Sequence, residues 1–340
     1  MFSFLVSLTL IVFCTWVFPM IDWMDDPEKY GYQRKAVPYG VGIVFYLCFV
    51  LGSYFFLETS TQLIAVLISG GIITLMSFFD DRMGLPAIPR LGIQALCALI
   101  LVFSGIGVPA LSNPFGDPLV LDSIRWSFEI GGFDLVIEPI ADLVAFVWIM
   151  FVINAMNWLD GVPGMVSGMS SITSLVLFLL ASQATLHVID QTALSSMALL
   201  ICGSGVAFWM FDFPRPKVLM GDSGTMFLGM ILAVMAIFSG GKLAIAFILM
   251  AFPLMDAVWT IARRLFKKQS PFKGDFEHFH HDLMNIGMSE SQVNLFYYMV
   301  SLSFGGIALS LQSTGKLIAL GILLGLMTII RIGISKKMKV

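Results

Sequence analysis

Charge is scarce in this chain. Of its 340 residues only 12% are Asp, Glu, Lys or Arg, while 58% are hydrophobic and the mean hydropathy is +0.91. A water-facing domain cannot bury that much apolar surface in one core, so lipid is the solvent for most of it. Cysteine is sparse too. The four present, Cys14, Cys48, Cys97 and Cys202, stand far apart inside apolar runs, which excludes a disulfide framework or a zinc site and leaves small buried hydrophobes. No stretch is long and polar enough for an independent soluble domain, and there is no low-complexity tail or repeat beyond the apolar runs. Residues 1–340 therefore read as one polytopic membrane domain. The first apolar run, Met1 to Ile21, lacks a basic residue before it and a small-residue cleavage pattern after it, so a retained span is expected and not a signal peptide.

What is present is a series of apolar runs of about 17 to 25 residues, each long enough to span about 30 Å of hydrocarbon as a helix. Hydropathy predicts an all-α membrane bundle of about eleven transmembrane helices, near 1–21, 41–57, 62–79, 91–109, 139–156, 165–186, 193–211, 225–240, 242–261, 292–311 and 316–335. The segment WSFEIGGFDLVIEP, two alternating runs about Gly131-Gly132, predicts a small amphipathic β-hairpin on the non-cytoplasmic surface. On this map 16 of the 19 Lys and Arg residues fall on one side, with Arg125, Lys242 and Lys316 on the other. The positive-inside rule makes the basic side cytoplasmic, with the N-terminus outside and the C-terminus inside.

The polar clusters fall on that same side. Asp80-Asp81 ends the third span, Asn154, Asn157 and Asp160 end the fifth, Gly221-Asp222-Ser223-Gly224 precedes the eighth, and His278, His280 and His281 follow the ninth. The third and fifth spans present their partially negative C-termini there, which favours a cation. Val162-Pro163-Gly164 should stop the fifth helix soon after Asn157 and Asp160, which share a face if the helix reaches them. The eighth span begins at that face, and its free backbone N–H groups behind the GDSG turn form an expected anion site. Carboxylates and an amide for a hard divalent ion, beside a phosphate-binding helix N-terminus, suit Mg²⁺-assisted phosphoryl transfer. Taken singly, each feature has a plain structural alternative: solvated span ends, an ordinary helix cap, interhelical bonds from Asn154 and Asn157, an adventitious metal site at the histidines. Asp256, inside the ninth span, needs a partner, either Arg263 or a neighbouring helix.

The runs SFFDDRMGLPAIPRLGIQ, VINAMNWLDGVPGMVSG, PKVLMGDSGTMFLG and PFKGDFEHFHHDLMNIG occur in that order. They resemble the polyprenyl-phosphate N-acetylhexosamine-1-phosphate transferase superfamily, glycosyltransferase family 4, over about residues 20 to 290. Within it the chain looks closest to the undecaprenyl-phosphate N-acetylglucosamine-1-phosphate transferases, the basic run RRLFKKQSPFKGD favouring that branch over the phospho-N-acetylmuramoyl-pentapeptide transferases. The resemblance implies transfer of a sugar-1-phosphate from a UDP-N-acetylhexosamine to a polyprenyl phosphate in the bilayer, releasing UMP, with Mg²⁺ or alternatively Mn²⁺. It assigns Asp80 and Asp81 to the catalytic acidic pair, Asp160 to the reaction centre, Asn157 and Asp222 to the metal, Arg90 to the lipid phosphate, and His278, His280 and His281 to the nucleotide sugar. No nucleic-acid partner is expected, and a homodimer is left open. Two departures stand out: Pro163 replaces the second acid of the family's DGxDG run, and the first cytoplasmic loop, EKYGYQRKAVPYGVG, has Arg34-Lys35 displaced and no histidine.

Two rivals follow. A secondary transporter would place its acids near mid-membrane and show two related halves, whereas these acids sit at span ends and no such halves are found. A catalytically silent relative is the reading that Pro163 and the altered first loop suggest.

Overall fold

The computed structural model describes residues 1–28, 34–111, 113, 116–130, 133–183, 191–239, 243–268, 278–311 and 313–337. Among them the chain forms thirteen helices: α1 (Phe2–Met20), α2 (Ile43–Phe56), α3 (Thr61–Met83), α4 (Ala87–Phe103), α5 (Pro139–Leu159), α6 (Met165–Ala181), α7 (Thr192–Asp212), α8 (Gly221–Phe238), α9 (Leu243–Leu249), α10 (Ala251–Phe266), α11 (Phe279–Asn285), α12 (Glu290–Ser310) and α13 (Ser313–Lys337). Six of these, α1, α3, α5, α7, α8 and α13, are long and apolar enough to cross a membrane, and α2, α4 and α6 are shorter apolar helices. The protein is a multi-pass membrane protein.

Two small antiparallel sheets interrupt the helices. β3 (Trp126–Ile130) pairs with β4 (Phe133–Ile137), Trp126 opposite Ile137 and Ile130 opposite Phe133, which is the hairpin expected from the alternating run; its Gly131-Gly132 turn lies outside the described residues. A second pair, β1 (Ala110–Leu111) with β2 (Leu119–Val120), is too short to carry a periodic signal.

α8 is the central helix. It packs against α3 and α5, and its side chains from Met226 to Ala236 are buried. Polar side chains tie it to its neighbours beneath the site: the Met226 thioether accepts from Ser77 of α3 at 3.0 Å and from Gln94 of α4 at 3.6 Å, and Gln94 accepts from Asn154 of α5 at 2.8 Å. Asn154 is thus interhelical glue, one of the two readings its position allowed.

The ninth expected span, 242–261, is not one helix. It breaks at Met250 into α9 and α10. Pro253 has no N–H for the Leu249 carbonyl four residues back, and its ring crowds that carbonyl. The freed oxygen accepts instead from Ser301 Oγ of α12 at 2.9 Å, so the break leaves it satisfied.

Helix ends also shift towards the chemistry. α3 runs to Met83, placing Asp80 and Asp81 in its last turn; α5 runs to Leu159, making Asn157 helical and Asp160 its C-cap; α8 starts at Gly221, so GDSG is its first turn. These ends, with the start of α4, meet at one end of the bundle.

Candidate active site

Adjacent residues on a helix point about 100° apart, so Asp80 and Asp81 meet different neighbours. Asp80 is buried; its Oδ2 lies 3.0 Å from Arg90 Nε, and its Oδ1 accepts the N–H of Leu85. Asp81 instead faces the start of α8. Its Oδ1 accepts the N–H of Asp222 at 2.7 Å and its Oδ2 that of Ser223 at 3.4 Å. Gly221 makes this approach possible, because its φ is +69° and any side chain there would collide with the Asp81 carboxylate.

This corrects the expectation of a free phosphate site at the eighth span. The first N–H groups of α8 are the unsatisfied, partially positive end of that helix. The last turn of α3 ends alongside them, so the anion they receive is the protein's own carboxylate.

Asn157 and Asp222 are brought together as expected. Asn157 Nδ2 donates to Asp222 Oδ1 at 2.8 Å and to Thr225 Oγ1 at 3.0 Å, which turns its Oδ1 the other way. Arg90 reaches in from the start of α4, with Nη2 2.7 Å from Asp222 Oδ2 and 3.5 Å from Asn157 Oδ1. Two oxygens, one charged and one neutral, therefore share one cationic group. They are hard donors of the kind that Mg²⁺ prefers, and their convergence on a cation shows that the pair fits a metal ion in donor chemistry. No cluster of three or more His, Cys, Asp or Glu side chains spaced for a metal occurs among the described residues, so other positions on an ion would fall to water or substrate.

Asp160 caps α5 beside this pair; its N–H donates to the Asn157 carbonyl at 3.3 Å, and its carboxylate has no hydrogen-bond partner among the described residues. Its carboxyl is open to the site but lies in a recess; the surrounding protein, then the carboxylates of Asp212, Asp222 and Asp81, push its pKa well above the ordinary carboxylate range. The turn after it is pinned on two sides. Asn294 Nδ2 of α12 donates to the Pro163 carbonyl at 2.6 Å, and the Tyr298 hydroxyl donates to the Gly164 carbonyl. From α7, buried Asp212 accepts from Ser167 Oγ at 3.1 Å and from the Gly164 N–H. Asp212 is the carboxylate that sequence reasoning missed. Its only signal is an acid closing the apolar run AFWMFD before Pro214.

The three histidine rings lie against one another but meet different neighbours. His280 is 1% exposed and rests against Gly161, where any side chain would collide with its ring. Neither ring nitrogen has a partner among the described residues. Burial, then the neighbouring His281 and His278, lowers its pKa to about 3, so the ring is neutral. His278 turns away to place Nδ1 2.8 Å from Asp256 Oδ2, and half-buried His281 has its ring 4.3 Å from that of His280. The partner of Asp256 is thus not Arg263; it comes from neighbouring elements, His278 and, on α13, Arg331. Of the basic run, Arg263, Arg264, Lys267 and Lys268 are described and Lys273 lies outside the described residues, as does 29–33 of the first loop. Arg34 in that loop pairs with Asp25.

Similar proteins carry similar names. The chain is 26% identical over 322 residues, 92% of its length and 84% of the other's, to the "probable undecaprenyl-phosphate N-acetylglucosaminyl 1-phosphate transferase" of Bacillus subtilis. It is 25% identical over 85% of its length and 76% of the other's to the undecaprenyl-phosphate alpha-N-acetylglucosaminyl 1-phosphate transferase of Escherichia coli K12. With the decaprenyl-phosphate N-acetylglucosaminephosphotransferase of Mycobacterium leprae the identity is 28%, over 71% of this chain but only 62% of that one. The glycosyl transferase family 4 model matches residues 63–240, from the helix of Asp80 and Asp81 through that of Asp222, and with more than half of its length so matched this chain belongs to that family.

Proposed function

We propose that the protein transfers a sugar-1-phosphate, N-acetylglucosamine-1-phosphate, from a UDP-sugar to a polyprenyl phosphate, releasing UMP and initiating synthesis of a cell-envelope glycan. The observation that carries this reading is the convergence of Asp222 Oδ2 and Asn157 Oδ1 on one cationic group beside Asp160, at the membrane-protein end where α3, α4, α5 and α8 meet. The 16 to 3 basic asymmetry supports a cytoplasmic site, with the N-terminus and the β3–β4 hairpin on the other side.

The reaction forms a bond between an oxygen of the lipid phosphate and the sugar-bearing phosphorus, and breaks the bond from that phosphorus to the oxygen bridging to UMP. A phosphate monoester is largely dianionic at pH 7, so no base is needed to generate the nucleophile. What must be overcome is the meeting of two anions. A Mg²⁺ ion, with Mn²⁺ as the alternative, would be held by Asp222 and Asn157 and supplies neutralisation of the diphosphate charge when bound. Arg90 shifts its guanidinium from the carboxylates towards a phosphate oxygen. Asp81 keeps α8 in place, so that Asp222 keeps its aim. Asp160 stands beside this pair at the end of α5, where the phosphate approaches. The neutral ring of His280 has a donor and an acceptor to give the nucleotide sugar.

Purified protein with Mg²⁺, a polyprenyl phosphate and a panel of radiolabelled UDP-sugars tests this. The expected product is lipid-extractable label from UDP-N-acetylglucosamine with stoichiometric UMP. Transfer only of a phospho-N-acetylmuramoyl-pentapeptide, or of nothing in the panel, would contradict it.

A further inference from the structure

The histidine segment lies outside the matched residues 63–240, and a buried charge cluster sets its place. Asp256, within α10, is 6% exposed, and its carboxylate meets three donors: His278 Nδ1 at 2.8 Å, the N–H of Phe279 at 3.0 Å and Arg331 Nη1 at 2.8 Å. Arg331 comes from α13, is buried, and has Nε 3.4 Å from Asp282 of α11. One carboxylate thus fixes both the ring of the first histidine and the first N–H of α11. One guanidinium bridges α10 to α11. A lone charge buried here would be costly, and each partner removes that cost from the other.

Two residues beyond His278 stands His280, its ring parallel to that of His278 at 5.7 Å and seated against Gly161. A buried imidazole whose two nitrogens lack partners among the described residues holds unmet hydrogen-bonding capacity beside Asp160. We infer that Asp256 and Arg331 are positioning residues for the transfer, holding α11 so that the His280 ring stands on the Asp160–Gly161 turn and meets the substrate bound there. The inference rests on reading that turn as the transfer centre. It makes the last helix of the chain, α13, part of the catalytic apparatus although it is remote in sequence.

The test reads turnover together with diethyl pyrocarbonate labelling of the histidines, by peptide mass spectrometry, on the full-length protein in detergent. In the wild type His280 is protected. In Asp256→Asn it becomes labelled, and transfer slows by about 10²-fold, the effect of displacing a group by about 1 Å, while KM for the polyprenyl phosphate is unchanged. Arg331→Lys keeps the cation and retains protection and most of the rate; Arg331→Met behaves as Asp256→Asn. The double variant Asp256→Asn/Arg331→Met removes both charges of the buried Asp256–Arg331 pair and is expected to fold even where a single variant does not. It remains labelled and slow, because one of the two oxygens that accept from His278 and Phe279 is now an NH₂ group that faces a donor. A protected His280 with wild-type rate in Asp256→Asn, or recovery of both in the double variant, would overturn the inference. A wild type that transfers nothing contradicts the transferase reading instead, and the labelling pattern then decides the placement of His280 by itself.

Discussion

The Asp81 carboxylate accepts the backbone N–H of Asp222 at 2.7 Å, so the acid at the end of α3 caps the helix that carries the next acid. Asp80, its neighbour, serves Arg90 instead. Asp81→Asn replaces one acceptor oxygen by an NH₂ group that would face an N–H donor. Thermal unfolding in detergent is expected to show a loss of about 1–2 kcal/mol, the scale of a helix cap with a donor left unpaired. An Asp81→Asn protein as stable as the wild type contradicts the capping role.

Gly221 and Gly84 both have positive φ, +69° and +66°, but only Gly221 has Asp81 against it; nothing lies within 4 Å of a side chain at 84. Gly84→Ala should cost about 1 kcal/mol of stability, from backbone strain alone, and leave the rate nearly intact. Gly221→Ala should also displace Asp81 and slow turnover by about tenfold or more, since misplacement by 1 Å can cost more than that. Equal rates in the two variants would show that Asp81 has room to move.

Asp222→Asn keeps size and removes one charge, so turnover should fall by about 10² or more, the scale of losing one transition-state stabiliser. The Mg²⁺ concentration for half activity should rise. Asn157→Ala should act in the same direction, and, as both residues are proposed to serve one ion, the double variant should cost less than the sum. Arg90→Met is expected to lower the Mg²⁺ concentration for half activity even as the rate falls, because Arg90 Nη2 lies on the same two oxygens. Unchanged Mg²⁺ dependence in Asp222→Asn would sink the metal assignment.

Burial lowers the pKa of His280 from 6.5 to about 3. Unfolded protein therefore binds a proton at this residue below pH 6.5 that native protein refuses until about pH 3. Stability is full above pH 6.5 and falls as pH drops towards 3, by at most about 1.4 kcal/mol per pH unit. Unfolding midpoints at pH 7 and pH 5 should differ less in His280→Gln than in the wild type. The same fall in both would place the titration elsewhere.

The bundle was legible in the sequence because lipid imposes long apolar runs, and the meeting of the candidate site's residues was legible because they punctuate the ends of those runs. Asn157 with Asp222 could be paired in advance, as span polarity put both at one face. The break at Met250 was hidden because α9 and α10 are both apolar, and its marker, Pro253, acts through a carbonyl whose acceptor role is filled from α12. The Asp81 cap could not be read, since it depends on the ends of α3 and α8 meeting across 141 residues. Asp212 escaped for a related reason: a single acid at a span end has no local pattern to distinguish it from a solvated one.

Transfer from UDP-N-acetylglucosamine carrying radiophosphorus in the β position tests the central claim most directly, because the β phosphorus is the one bound to the sugar. Incubated with a polyprenyl phosphate and Mg²⁺, the wild type is expected to move that label into the organic phase together with the sugar, leaving unlabelled UMP in water. Sugar in the lipid with the label left in water as UDP would mean glycosyl transfer without the phosphate, and would contradict the account.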